Sequence, residues 1–158
     1  RRRVAGRRAV RDPVAAQLVP RGTATGVDVW RTLDQSGNDP ELTRRNAERE
    51  GVADRIELLT ADIRSIPVPD DSFDLAVSSL AIHNLPDATA RDEVIDEAVR
   101  VMRPGGTLLI ADIRATNAYA ERLRHHGMAD VRTRGLGWRF WYGGPFIATK
   151  LVTARKPA

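Results

Sequence analysis

Residues 95–113 read IDEAVRVMRPGGTLLIADI, and this stretch decides the fold class. Val94, Ile95, Ala98, Val99 and Met102 fall on one face at helical spacing, and Asp87 is placed to cap the start of that helix. Pro104-Gly105-Gly106 predicts a sharp stop, because proline cannot continue a helix and glycine tolerates the turn. Residues 107–113 are then almost continuously apolar, as a strand buried on both faces must be. A helix feeding a doubly buried strand is half of a strand–helix–strand unit.

Working outward, the same grammar repeats. Residues 73–79 (FDLAVSS), 56–60 (IELLT) and 23–29 (TATGVDV) read as strands. Asp39-Pro40-Glu41 reads as a helix start, with an N-cap acid, proline at the first position and a carboxylate at the positive end of the dipole. That helix is expected to run to Glu50 and stop at Gly51. Downstream, 116–126 reads as a helix closed by Gly127. Residues 130–134 and 146–154 are strand candidates joined without a helix, so they are expected to pair as an antiparallel hairpin at one edge. The alternation predicts an α/β fold with a doubly wound, mostly parallel sheet. Ligands of such sheets bind at the carboxyl ends of the strands, where the strand order reverses.

Composition narrows the class. The chain has 158 residues and no linker or repeat, so a single domain over 1–158 is expected. It has no Cys, which excludes disulfides, thiolate metal sites and a Cys nucleophile. No apolar run approaches the length of a membrane span, and no secretory signal is visible, so a cytoplasmic location is the expectation. The formal charge of +4 suggests nucleic acid, but residues 1–12 hold six Arg and one Asp, while the remainder holds 19 basic and 20 acidic side chains. The basic character belongs to an atypical Arg-rich end, and no nucleic-acid partner is expected. The chain begins with Arg rather than Met, which sets the expectation of an N-terminal truncation.

Several strand-end residues carry candidate chemistry. Asp28 could accept both hydroxyls of a ribose, or be a solvated strand-end acid. Asp62 could accept from an exocyclic amine with Ile63 as an apolar wall, or be a turn acid beside a core Ile. Ser78 and its neighbours let a ligand approach the backbone. His83 could be a base or a lining residue, because imidazole exchanges protons in the physiological range. Asp112 ends its strand and could point into the cleft, but reads first as a helix-capping or loop acid. Trp138, Phe140, Trp141, Tyr142 and Phe146 form an aromatic cluster among four glycines, suited either to stack a flat substrate or to pack the hairpin. His125 and His126 point apart as neighbours do, and no metal site is expected.

Four segments in this order resemble the class I S-adenosylmethionine-dependent methyltransferases, in their ubiquinone/menaquinone-biosynthesis-like branch: 24–30 (ATGVDVW), 60–85 (TADIRSIPVPDDSFDLAVSSLAIHNL), 95–113 and 152–157 (VTARKP). The resemblance covers about 20–157. It implies a Rossmann-like seven-stranded sheet with an antiparallel edge strand and S-adenosylmethionine as cofactor. It further implies that Asp28 binds the ribose with Trp30 nearby, that Asp62 and Ile63 contact adenine, and that Ser78 faces the methionyl part. His83 and Asn84 lie where the acceptor pocket begins, and Trp138, Trp141 and Tyr142 are its candidate aromatic wall. The acceptor is expected to be a small molecule.

One segment departs from the pattern. The first strand of that family ends in an acidic, glycine-rich loop whose backbone amides approach the cofactor. Here 2–8 read RRVAGRR, and only Gly6 is retained. Three explanations stand: divergence toward a non-catalytic binding domain, a start lying upstream, or a shifted frame. For the last, CTC GAC GTC GGG TG encodes Leu-Asp-Val-Gly in one frame and, read from its third base, Arg-Arg-Arg-Val, which equals residues 1–4. The first strand is accordingly expected to be defective.

Overall fold

The computed structural model describes residues 3–6, 22–30, 39–141 and 147–158. In chain order the elements are β1 (Arg3–Gly6), β2 (Thr23–Asp28), α1 (Pro40–Arg49), β3 (Ile56–Thr60), β4 (Phe73–Ser79), α2 (Ala88–Val101), β5 (Met102–Asp112), α3 (Thr116–His125), β6 (Ala129–Gly135) and β7 (Lys150–Arg155). The strands form one sheet in the order β3-β2-β1-β4-β5-β7-β6. All pairings among β1–β5 are parallel. The chain steps from β1 outward to β3, then returns past β1 to β4, so the strand order reverses between β1 and β4. Right-handed crossovers in opposite directions put α1 and α2 on opposite faces. Two separate apolar clusters agree with this: a small one at Ala47 and Val52, and the main core around Phe73, Ile95, Met102, Ile110, Leu123 and Val152.

The local signals act as their chemistry dictates. Asp39 Oδ1 accepts from the Glu41 amide at 2.8 Å, and Pro40 opens α1. Asp87 Oδ1 accepts from the Ala90 amide at 2.8 Å at the start of α2. Gly51 and Gly127 close α1 and α3 with φ of +66° and +71°. The first strand, expected to be defective, forms over four residues and pairs on both sides, with Val4 opposite Ala24 and Leu75. Residues 7–21, with the arginines at 7 and 8, lie outside the described residues.

Two expectations need correction. Pro104-Gly105-Gly106 does not end α2 before a strand at 107. The helix ends at Val101, and β5 already begins at Met102. The register jumps from Phe73↔Met102 to Leu75↔Thr107, so 103–106 bulge from the ladder. Gly105 (φ +79°) and Gly106 pair with Lys156 instead: the Gly105 amide donates to the Lys156 carbonyl, and the Lys156 amide donates to that of Gly106. A Cβ on Gly106 would stand 2.6 Å from Met102 Cε and 2.9 Å from the Arg103 carbonyl oxygen, which is why glycine is required there. The second correction concerns the edge. The C-terminal pair is an antiparallel hairpin, but the antiparallel strand β7 lies between β5 and β6, and β6 holds the edge. Burial explains the choice. Val152 and Ala154 of β7 are buried, whereas β6 is exposed along nearly its whole length.

Carboxylates tie the helical layer to the loops. Glu97, buried on α2, accepts from the Ile66 amide at 2.5 Å and from Arg100 at 2.7 Å. Arg100 also donates to the carbonyls of Ile66 and Val68, so the pair pins the loop after β3. The Arg100 guanidinium outweighs burial and holds the Glu97 carboxyl below its ordinary value. Asp96 joins α2 to α3, accepting from Arg122 at 2.6–2.7 Å and contacting His126 Nε2 at 2.6 Å. Lys156 Nζ donates to the carbonyls of Val99 and Met102 at the end of α2.

Two stability measurements follow from these contacts. Hydrogen bonding from Arg122, opposed by burial and aided by His126, lowers the Asp96 carboxyl from 3.8 to about 2. Its stabilisation is therefore full above pH 3.8 and is lost as pH falls toward 2. Asp96 is partly exposed, so Asp96→Asn lowers stability by no more than about 1 kcal/mol at neutral pH. In thermal melts against pH, its difference from the parent closes through that acidic window, and a pH-independent difference excludes the ion pair as its cause. Glu97→Ala leaves the Ile66 amide without its acceptor, while Arg100 keeps Asp70 and the carbonyls of Ile66 and Val68, and costs about 1–3 kcal/mol by denaturant melts.

Candidate active site

The carboxyl ends of the strands bring most of the candidate residues to one edge of the sheet. Gly6 ends β1 between Gly26 of β2 and Val77 of β4, directly at the reversal of strand order, with Ser78 the next residue on β4. Asp28 ends β2 opposite Thr60 of β3 and is only 7% exposed. Its Oδ1 accepts from the Trp30 amide at 3.0 Å. Trp30, in the left-handed region at φ +54°, directs its indole N–H to Thr60 Oγ1 at 3.1 Å. The indole therefore bridges the ends of β2 and β3 beside the carboxylate.

Asp62 lies two residues past β3, and Arg64 grips its carboxylate. Arg64 donates from its amide, Nε and Nη2 at 2.7–3.1 Å, and Nη1 reaches Glu93 at 3.5 Å. Each carboxylate oxygen has more than one acceptor position, so an exocyclic amine can still be received. Ile63 packs on the core. With Val27, Ile66 and Ser78 it lines a cavity of about 60 Å³ between the sheet and α2.

The largest departure from the sequence reading is at Asp112. Read first as a cap or loop acid, it caps nothing: α3 begins after Ala115, with no side-chain cap. Asp112 is instead fully buried at the end of β5. Its oxygens receive the His83 amide at 3.1 Å, the Ile113 amide at 2.8 Å and His83 Nδ1 at 2.5 Å. A carboxylate accepts, so Nδ1–H donates to Asp112, and in the neutral imidazole the lone pair is on Nε2. His83 lies on the short turn Ile82–Asn84 after β4, its side chain 14% exposed, and Leu80 enters that turn with φ +50°. Tyr119 of α3 is 1% exposed, and among the described residues its buried hydroxyl makes no well-formed hydrogen bond, though Asp112 is near enough to act on it. Burial, reinforced by the Asp112 charge, pushes the phenol above its ordinary value, so it stays a neutral donor. Asp112 had a signal in the sequence, as the single acid ending a buried run; Tyr119 had none beyond its helical face.

Other candidates are less enclosed. Asn84 is exposed, its amide donating to the Ala81 carbonyl at 3.3 Å. Trp138 and Trp141 stand 72% and 42% exposed in the β6–β7 loop. Tyr142 and Phe146 lie outside the described residues. Among the described residues no three His, Asp or Glu side chains converge as metal ligands.

Comparisons with known proteins identify the family. A family model described as a methyltransferase domain matches residues 9–110. Methyltransferase GfsG from Streptomyces halstedii is 42% identical over 89 residues, covering 56% of this chain and 31% of that protein. The 27-O-demethylrifamycin SV methyltransferase of Amycolatopsis mediterranei is 36% identical over 115 residues, covering 68% and 41%. The chain thus spans less than half the length of these relatives. N-methyltransferase NodS from Bradyrhizobium japonicum, solved with S-adenosyl-L-homocysteine, superposes with a TM-score of 0.73 over 99% of this chain and 78% of its own, at 19% identity. That likeness is one of fold. The family match spans Asp28, the loop after β3 and His83, and the chain belongs to the methyltransferase-domain family, the class I S-adenosylmethionine-dependent methyltransferases.

Proposed function

We propose that this domain transfers a methyl group from S-adenosylmethionine to a small-molecule acceptor, and that His83, aligned by Asp112, removes the acceptor's proton. The observation that carries the reading is the buried Asp112 holding His83 Nδ1, which leaves Nε2 as a base at the carboxyl end of the sheet. S-adenosylmethionine supplies an electrophilic methyl, so the protein needs mainly to orient the nucleophile and exclude water. Asp28 receives the ribose hydroxyls, Asp62 the adenine amine, and Ile63 and the apolar cavity its ring. Gly6 and Ser78 allow the methionyl part to approach the backbone. Asn84 and the exposed Trp138 and Trp141, with Tyr142, offer contacts to the acceptor. A relative named for 27-O-demethylrifamycin SV supports a small-molecule acceptor.

A second reading, a non-catalytic methyltransferase-like binding domain, is favoured by the arginines where a glycine-rich loop is expected. Calorimetry with S-adenosylmethionine separates them: a folded protein that binds no cofactor removes the catalytic reading. In the same titration Asp28→Ala weakens binding by roughly 1–3 kcal/mol through loss of charge-assisted hydrogen bonds. Unchanged affinity would overturn the ribose assignment.

For the base, release of S-adenosylhomocysteine is measured against a panel of hydroxylated acceptors. His83→Ala and Asp112→Asn each lower turnover by about 100-fold with cofactor affinity nearly intact. The double variant is no slower than the slower single, because the two side chains act as one unit. Independent, multiplying losses would show that Asp112 does not act through His83.

A further inference from the structure

The described residues expose five large hydrophobics, and four of them lie in one loop: Trp138 (72%), Phe140 (57%), Trp141 (42%) and Ile147 (38%). The described arms of the loop, 136–141 and 147–149, are tied together. The Leu136 amide donates to the Thr149 carbonyl at 3.1 Å, Phe140 to Gly137 at 3.1 Å and Trp141 to Trp138 at 3.2 Å, the Thr149 hydroxyl donates to the Phe140 carbonyl, and Trp141 bridges to Ala148. The aromatic rings are held out by a hydrogen-bonded backbone. An exposed apolar cluster of this kind marks an interaction surface.

The charge around it is mainly positive. Arg132, Arg134, Arg139 and Lys150 stand on or beside the loop, and the acid on the same strand is Asp130, 4.0 Å from Arg132. Arg132 and Arg134 stand on one face of edge strand β6, two residues apart, and Arg139 lies 5.4 Å over the Trp138 ring. The position is equally specific. Gly135, Lys150 and Asp112 are successive partners across β6, β7 and β5, so the loop leaves the sheet on the edge where His83 sits.

We propose that this loop and the basic face of β6 dock the protein on an anionic lipid bilayer surface, peripherally, with Trp138, Phe140, Trp141 and Ile147 in the headgroup region and the arginines on the lipid phosphates. Indole and phenyl rings beside guanidinium groups suit that interface, where one end of the side chain is apolar and the other wet. Apolar area and positive charge together give reversible binding without a spanning helix. No described helix is long and apolar enough to cross a membrane. A second copy is a poorer occupant, because pairing β6 with itself would bring arginines together at an edge that such charges protect. Single-stranded nucleic acid is poorer too, because Ile147 has no ring to stack and Arg139 already covers a face of Trp138. Its test reads vesicle binding and does not depend on methyl transfer.

Flotation of the 158-residue chain with vesicles tests it. The protein floats with vesicles of phosphatidylcholine and phosphatidylglycerol, about tenfold less with phosphatidylcholine alone, and less again in high salt. Trp138→Ser with Trp141→Ser, and separately Arg134→Gln with Arg139→Gln, each weaken partitioning by about tenfold, and unchanged melting temperatures show that these exposed changes leave the fold intact. Two of the three Trp are in the loop, so vesicles shift the parent's fluorescence to the blue. No flotation, flotation that both variants retain, a concentration-dependent dimer that buries the loop, or fluorescence quenching by polyuridylate without flotation overturns the proposal.

Discussion

A fully buried carboxylate is the constraint around which the upper part of this domain is organised. Leaving Asp112 unpaired beneath β5 would cost several kcal/mol. Its donors come from two places in the chain, the turn after β4 and the residue after β5 itself. Meeting that demand pulls the His83 turn across the ends of two strands, and Tyr119 of α3 closes the other side. The same contact that satisfies the acid fixes the tautomer of the imidazole. Structural necessity and chemical competence are one arrangement here.

Around it, the loop after β3 is anchored by a helix. The stretch after β3 carries Asp62 and Ile63 and is held by Glu97 and Arg100 of α2. The same helix is clamped to α3 through Asp96 and closed at its end by Lys156. Thus α2 is the shared strut for the loop after β3, the His83 turn that precedes it and the start of β5.

Much of this was legible in the sequence where local chemistry decides. Asp39-Pro40 and Asp87 mark helix starts because an N-cap satisfies amides within its own turn, and Gly51 and Gly127 mark stops because their left-handed backbone is a local matter. The strand-end position of Asp28 was legible because a β-branched run closes on it. The role of Pro104-Gly105-Gly106 was not, because the partner of that bulge is Lys156, far along the chain. Nor was the order of the last two strands, which depends on which hairpin arm has the better apolar faces. Asp112 was misread for a related reason: its partner lies 29 residues away, and spacing alone does not reveal a side chain's burial. The charge of the C-terminal stretch was averaged away when everything past residue 12 was summed together.

The insertion of β7 between β5 and β6 has a consequence for how the chain reaches its native state. β6 leaves the ribosome before the strand that it must pair with, and β5 keeps an open side until residues 150–155 arrive. Lys156 then reaches back 85 residues to Asp71 and seals α2. Closure of this half of the sheet is therefore a late, non-local event in the life of the nascent chain, with a high entropic threshold before any contact is rewarded. Until then an apolar strand edge stays open to other chains, and the period between synthesis of β5 and of β7 is when a chaperone is needed most.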